Sequence, residues 1–86
     1  MFTWDDAKNE ANIRARGLPF ALAEILFEGP VVEFPDTRFD YGEERILAFG
    51  KIADRLFVCV YTQRGEARHI ISLRKANKRE VRRYGW

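Results

Sequence analysis

Apolar residues in the first part of the chain recur with the spacing of a helix. The positions that share this spacing are Ala7, Ala11, Ala15 and Leu18. A stripe of this period predicts an amphipathic helix, and Asp5 or Asp6 can cap it because a carboxylate accepts the free amide hydrogens of the first turn. Gly17 is suited to the left-handed conformation that ends many helices. Ahead of this helix, Phe2–Trp4 is predicted to form a short strand.

A second helix is predicted over residues 19–27. Pro19 fits the first turn of a helix, where the amide hydrogen that proline lacks would have no helical partner. The segment is apolar almost all round, which is typical of a buried helix. Gly29 and Pro30 then end it.

The second half of the chain has the pattern of a sheet. Strands are predicted at residues 31–34, 44–52, 56–62 and 67–74. A polar loop at 35–45 and tight turns at 53–55 and 63–66 separate them. The segment 56–62 is apolar at both odd and even positions, so we expect it to be the central strand.

A short helix is predicted near the end of the chain. Asn77 can cap it, and Glu80 three residues later completes a reciprocal capping box. Val81 and Tyr84 form its apolar side. We therefore expect an α+β fold of one domain, residues 1–86, with two N-terminal helices packed on one face of a mainly antiparallel sheet and a short C-terminal helix. The other face of the sheet is left for function.

Composition narrows the class of protein. The 86 residues are 47% hydrophobic and 33% charged, which is typical of a globular domain. No apolar run approaches the ~20 residues needed to span a bilayer, and the N-terminus lacks the pattern of a signal peptide. The single cysteine excludes an intrachain disulfide, and one cysteine with one histidine argues against a structural zinc site. We expect a cytoplasmic protein without metal, cofactor or membrane contact.

Charge is unevenly distributed along the chain. The net charge is +2, but residues 1–43 carry 4 basic and 9 acidic side chains, whereas residues 44–86 carry 11 basic and 4 acidic. Six basic residues cluster from the end of the last predicted strand onward: Arg74, Lys75, Lys78, Arg79, Arg82 and Arg83. A basic edge of this kind on a small domain predicts a polyanionic partner, most simply nucleic acid. The alternative is a solvated charged surface.

Three segments, with the spacing between them, resemble one known family. WDDAKNEANIRARGLPF is similar to the opening of the BrnT toxins of type II toxin–antitoxin systems, and DTRFDYGEER and TQRGEARHIISLRKANKREVRRY are similar to the rest. The residues that carry the resemblance are Trp4, Asp5, Lys8, Asn12, Gly17, Phe20, Asp36, Arg38, Glu43, Arg45, Arg64, Gly65, Ile71, Ser72, Arg74, Ala76, Glu80 and Tyr84. Together they cover essentially the whole chain.

The resemblance to BrnT implies a RelE-like fold and a small ribonuclease that arrests translation. It implies as partner a BrnA-like ribbon-helix-helix antitoxin that neutralises the toxin, and promoter DNA that the two proteins bind together. The chain departs from the family pattern at two positions, with Arg16 where histidine is frequent and His69 where arginine is usual. His69 makes the charge at its position dependent on pH, because the ordinary pKa of histidine is ~6.5.

Cleavage of RNA without a metal needs a base for the 2′-hydroxyl proton, positive charge beside the phosphate and a donor for the leaving 5′-oxygen. Arg74 and Arg64 are predicted to supply the charge, because a guanidinium meets phosphate oxygens in two places. They would lie at opposite ends of the strand 67–74, so a contact between Arg64 and a flanking nucleotide is the alternative.

His69 and Tyr84 are the predicted acid–base candidates. His69 has a near-neutral ordinary pKa, but strand alternation places it with Ile71 and Leu73 and opposite Arg74, where simple packing is the competing interpretation. Tyr84 could stack on a base or donate a proton, or it could pack against its own helix side.

Further polar residues have predicted roles of lesser weight. Six cations are predicted to bind RNA: Arg68, Lys75, Lys78, Arg79, Arg82 and Arg83. Capping of the last helix is the first interpretation of Glu80, and a general base is the second. Glu43 is predicted to form an ion pair with the nearby Arg45. Cys59 in a central strand predicts a buried, unreactive thiol.

Two hypotheses follow: a ribonuclease toxin with an RNA substrate, neutralised by an antitoxin, or a non-catalytic basic interaction domain acting on DNA within a repressor complex.

Overall fold

The computed structural model describes residues 1–38 and 40–86, which form a five-stranded sheet and three helices. The strands are β1 (Phe2–Trp4), β2 (Val32–Pro35), β3 (Ile46–Ile52), β4 (Arg55–Arg64) and β5 (Ala67–Lys75). The helices are α1 (Asp6–Arg16), α2 (Ala23–Leu26), which follows a 3₁₀ turn (Phe20–Leu22), and α3 (Lys78–Tyr84). The predicted α+β class is confirmed. Among the described residues, no helix has both the length and the apolar character needed to cross a membrane.

The sheet has the order β1-β5-β4-β3-β2. Pairing is antiparallel from β2 to β5, while β1 runs parallel to β5, so the sheet is mixed but mainly antiparallel as predicted. The predicted central strand is confirmed, because β4 has two strands on each side. The turns at Ala53, Asp54 and Gly65 have φ values of 51°, 63° and 59°, which suit tight hairpins.

β4 separates two clusters of apolar side chains. Phe57, Cys59 and Tyr61 contact the 3₁₀ turn and α2 on one side, which we call the helical face. Leu56 and Val58 lie on the opposite side, the open face, where α3 packs at one end. Burial raises the pKa of the Cys59 thiol to about 12, so the thiol stays protonated and unreactive, as expected.

The second predicted helix is present but shorter than expected. It begins as a 3₁₀ turn, and Pro19 precedes it in an extended conformation with ψ of 142°. Phe20 and Leu26 are buried on the helical face, whereas Ile25 is 45% exposed. The predicted burial is therefore confirmed for Phe20 and Leu26 and wrong for Ile25, because a segment this short lies on the sheet with one side towards solvent.

α1 is held in place by polar contacts and contributes no buried apolar side chain. Its buried residue is Asn12, whose Nδ2 donates to the carbonyl oxygens of Leu18 at 2.8 Å and Leu73 at 2.9 Å. The second bond covers the part of the β5 edge that lies beyond the short β1. The alanines of the predicted apolar stripe, Ala7, Ala11 and Ala15, are exposed.

An irregularity in the pairing of β4 with β5 inserts one extra residue into β5. Beyond it, His69 lies opposite Thr62, while Arg74 lies opposite Val58. Thr62 and Val58 are an even number of residues apart on β4, so His69 and Arg74 share the open face and Arg68 lies on the helical face. The predicted opposition of His69 and Arg74 is wrong, because simple alternation does not hold across a bulge.

Candidate active site

A cavity of about 320 Å³ lies at the end of the sheet opposite α3. We call it the His69 pocket, and its lining residues are Asp5, Lys8, Glu43, Arg45, Arg64, His69, Ile70 and Ile71. They come from the start of α1, the segment before β3, the end of β4 and the adjoining part of β5. The pocket therefore brings the one histidine of the chain together with three basic and two acidic side chains.

His69 sits between neighbouring strands that fix its ring. Thr62 of β4 lies on one side of it and Thr3 of β1 on the other, and Thr3 Oγ1 is 2.9 Å from His69 Nδ1. Burial, and after it the charge of Arg64, lowers the pKa of His69 below 6.5, so the imidazole is neutral at neutral pH. A neutral imidazole whose Nδ1 is hydrogen-bonded can accept a proton at Nε2.

Arg45 brings a guanidinium that has no carboxylate partner among the described residues. Its Cζ lies 3.9 Å from the centre of the Tyr41 ring, a cation–π contact. Its Nε is buried and has no hydrogen-bond acceptor within the described part of the chain. A buried N–H without an acceptor is costly, so an anionic group in the pocket would stabilise Arg45.

The other charged residues of the pocket differ in how far contacts within the protein neutralise them. Arg64 Nη2 lies 3.5 Å from Glu43 Oε1, but the two side chains are 54% and 37% exposed, so this pair is weak. Asp5 Oδ1 is occupied at 2.9 Å and 3.2 Å by backbone amides of the first turn of α1. Lys8 makes no ion pair with the described residues. The pocket therefore favours an anion, and a phosphate meets this requirement.

Asp36 organises the segment that leads into β3. Its carboxylate accepts hydrogen bonds from Arg38 Nε and Nη2, both at 2.9 Å, and from the Tyr41 hydroxyl at 3.2 Å. Its backbone N–H donates to the carbonyl of Arg45 at 2.7 Å. These bonds set the Tyr41 ring against Arg45, so the predicted polar loop is ordered around one carboxylate. Phe39, also in that predicted loop, lies outside the described residues.

Replacing Asp36 with asparagine is expected to lower the free energy of unfolding by about 2 kcal/mol at neutral pH. Hydrogen bonds from Arg38 hold the pKa of the Asp36 carboxyl down from 3.8 to about 2. A depressed folded-state pKa stabilises the protein above the unfolded value, and this contribution is lost as pH falls from about 4 towards 2. In urea unfolding, the difference between the parent and Asp36→Asn should therefore be constant above about pH 5 and shrink below about pH 4. A difference that is independent of pH would contradict the assigned role of this carboxylate.

Two of the four predicted catalytic residues line the same pocket. His69 and Arg64 do so, whereas Arg74 and Tyr84 lie at the other end of the open face. The partners of His69 and Arg74 on β4 are four residues apart, which corresponds to roughly 13 Å. The predicted separation of Arg64 from Arg74 is confirmed, because their positions are at opposite ends of the β4–β5 pairing.

Arg74 and Tyr84 each have a structural partner. Arg74 Nη1 and Nη2 donate to the two carboxylate oxygens of Glu80 at 2.8 Å and 2.9 Å, and these bonds lower the pKa of Glu80. The Tyr84 ring lies 4.5 Å from that of Phe49 and 5.0 Å from that of Phe34, centre to centre. These contacts account for both residues without catalysis, and their catalytic roles stay predictions.

The six cations predicted to bind RNA do not form one surface. Arg68 lies on the helical face, where its Cζ is 4.2 Å from the centre of the Phe27 ring. Lys75 lies opposite Phe57, which belongs to the same face. The other four are exposed on α3 and make no ion pair with the described residues: Lys78, Arg79, Arg82 and Arg83. The predicted basic edge is therefore divided between the two faces of the sheet.

The cations Lys8 and Arg45 and the hydroxyl of Thr3 lie at the His69 pocket and were not among the predicted site residues. Arg45 could have been predicted from the sequence. It directly precedes β3, and strand alternation places it on the same face as Leu47 and Phe49, which is the open face. Lys8 and Thr3 could not have been predicted in this way. Their positions depend on the parallel pairing of β1 with β5, which brings together residues that are far apart along the chain.

The fold and the pocket together define a class of protein: a small α+β protein with a neutral histidine set among arginines, an arrangement suited to chemistry on a phosphate ester. Residues 4–80 match the family model described as the ribonuclease toxin, BrnT, of type II toxin–antitoxin systems. The chain belongs to this family, and the resemblance noted in the sequence is confirmed. No curated protein gives a significant match. Membership of a type II toxin family implies ribonuclease activity and an antitoxin partner.

Proposed function

We propose that the chain is an endoribonuclease that cleaves RNA in the His69 pocket without a metal ion. His69 Nε2 takes the proton of a 2′-hydroxyl, and the freed oxygen attacks the adjacent phosphorus. The bond from phosphorus to the 5′-oxygen breaks, which leaves a 2′,3′-cyclic phosphate and a 5′-hydroxyl. The Lys8 ammonium, which lines the same cavity, gives a proton to the leaving oxygen.

The observation that carries this proposal is one cavity that holds an imidazole and two guanidiniums. Burial lowers the pKa of His69, which favours the unprotonated form that a base requires. When His69 Nδ1–H donates to Thr3 Oγ1, Nε2 keeps its lone pair and can act as the base. Arg45 and Arg64 then supply fixed positive charge where the phosphate gains negative charge, a contribution that is large in a partly desolvated site.

Purified protein free of antitoxin is expected to cut single-stranded RNA at the same rate with and without EDTA. Mass spectrometry of the products should find 2′,3′-cyclic phosphates and 5′-hydroxyls. A His69→Ala preparation, purified in parallel, controls for contaminating nucleases. Activity that EDTA removes and Mg²⁺ restores would contradict the metal-free mechanism. Cutting no faster than in the His69→Ala control would contradict the assignment of catalysis to this pocket.

The biological setting is proposed from the family. The ribonuclease would arrest translation in the cytoplasm, and a BrnA-like ribbon-helix-helix antitoxin would neutralise it and join it on promoter DNA. Family membership and the sequence resemblance support this setting. They also support a RelE-like arrangement of one domain over residues 1–86.

A second candidate function is that of a non-catalytic interaction domain acting on DNA within a repressor complex. The observation that favours it is α3, whose four exposed cations make no ion pair with the described residues, while Arg74 is held by Glu80. Phosphate contacts need cations of this kind and no catalytic group. Under this alternative the purified protein cuts no RNA, yet its complex with the antitoxin still binds promoter DNA.

A further inference from the structure

A second cavity of about 320 Å³ continues from the His69 pocket along α1. It lies between α1 and β5, and its lining residues are Lys8, Ala11, Asn12, Ala15, Arg16, Ile71 and Ser72. Lys8 and Ile71 also line the His69 pocket, so the two cavities adjoin. We call this second cavity the α1 groove. A chain bound in the His69 pocket can therefore leave it along α1.

Two cations mark the length of the α1 groove. Lys8 and Arg16 are eight residues apart on one helix, which places them ~12 Å apart along its axis. The lining contains no carboxylate, and neither cation makes an ion pair with the described residues. Arg14, two positions before Arg16, instead lies 3.9 Å from Glu10 and is not part of the groove. The groove thus carries positive charge that the protein does not neutralise.

The walls between these cations suit the rest of a nucleotide chain. Ala11 and Ala15 present only methyl groups, and Ile71 faces them from β5, so the middle of the groove is largely apolar. Ser72 adds a hydroxyl that can donate or accept a hydrogen bond. Proteins that bind single strands combine cations that follow the backbone with apolar surfaces for bases and sugars. An acidic peptide would use the cations but would not require continuity with the His69 pocket.

We propose that the α1 groove binds the single-stranded RNA that flanks the cleaved bond, with Arg16 contacting a phosphate remote from that bond. This inference rests on the proposed function, because the groove would hold flanking RNA only if the cleaved bond lies in the adjoining His69 pocket. Lys8 belongs to both cavities, whereas Arg16 belongs to the groove alone. Arg16 should therefore affect the binding of a long strand and leave the chemical step unchanged.

The test measures the affinity of the full chain for a long, fully 2′-O-methylated single-stranded oligoribonucleotide, which cannot be cleaved, by fluorescence anisotropy across a salt series. Arg16→Ala is expected to weaken binding roughly five- to tenfold and to reduce the slope of log K against log salt by about 0.7, the value for one phosphate contact on a single strand. Arg14→Ala is the matched control, since it removes an arginine from the same helix outside the groove and should leave both quantities unchanged. Cleavage of a dinucleotide, too short to occupy the groove, should be the same in Arg16→Ala and the parent.

Three results would overturn the inference. The first is equal affinity of the Arg16→Ala and Arg14→Ala proteins for the long strand. The second is the absence of RNA binding by the parent. The third is a loss of co-purification with the co-expressed antitoxin in Arg16→Ala while RNA affinity is unchanged, which would assign the groove to the protein partner. The proposed function fails separately, if the parent binds the long strand through Arg16 but cuts no cleavable RNA.

Discussion

Alanine in place of His69 is expected to lower the rate of RNA cleavage by about 10²–10⁴-fold, the usual contribution of a general base. The loss should fall on kcat, because His69 acts on the proton that moves in the reaction. Stability should change little, since the ring lies at the end of the sheet and its hydrogen bond is to the exposed Thr3. Single-turnover cleavage and urea unfolding of the same preparation measure the two effects.

The pH dependence of cleavage then tests the role of His69 as a base. A base must be unprotonated, so the rate should fall as pH drops through the pKa of His69, which burial and Arg64 lower below 6.5. Arg64→Ala removes one of these causes and should move the acid limb to higher pH, besides lowering the maximum rate. A His69→Gln protein that keeps the parent's rate and acid limb would rule out this base.

The local features of the fold were predictable because their causes lie within a few residues. Asp5 caps α1, and Gly17 ends it with φ of 69°. Asn77 and Glu80 form the predicted capping box, with bonds of 2.8 Å and 2.9 Å to each other's backbone amides. Each of these contacts depends on side-chain chemistry at a fixed short spacing, which a sequence displays directly.

The open face was harder to predict because one extra residue in β5 reverses the alternation of the strand. His69 and Arg74 are an odd number of positions apart, so alternation assigned them to opposite faces, yet the pairing with β4 places both on the same one. Glycine within a strand can signal a bulge, but the bulged part of β5, residues 70–72, contains none. Strand alternation therefore assigns residues to the wrong face of the sheet whenever an unrecognised bulge lies between them.

The sequence also did not predict which charged residues form ion pairs with each other. Arg74 was predicted to face a phosphate, but Glu80, six residues later, holds its guanidinium at both oxygens. The same carboxylate also accepts from the backbone amide of Asn77. A residue that caps a helix can thus also fix an arginine, and the two roles together attach α3 to β5.

Arg45→Ala is expected to lower the rate of cleavage with little effect on stability, whereas Arg74→Ala is expected to lower stability with little effect on the rate. Arg45→Ala should lower kcat by about 10²–10³-fold, because it removes a preorganised donor beside the reacting phosphate. Its unfolding free energy should change little, since Arg45 makes no ion pair with the described residues. Arg74→Ala should instead lower the free energy of unfolding by about 1–3 kcal/mol, because the partly buried Glu80 loses both charge-assisted bonds.

Cleavage by the folded fraction of Arg74→Ala should stay close to that of the parent, because the Arg74 position is roughly 13 Å from that of His69. Glu80→Gln is the matched control: it weakens the same ion pair but leaves the Arg74 guanidinium in place. If Arg74 stabilises the transition state, Glu80→Gln keeps its activity while folded Arg74→Ala loses it. That result, together with a fully active Arg45→Ala, would move the active site to the end of the open face beside α3. Equal activity of the two folded variants, with Arg45→Ala inactive, places the reacting phosphate in the His69 pocket.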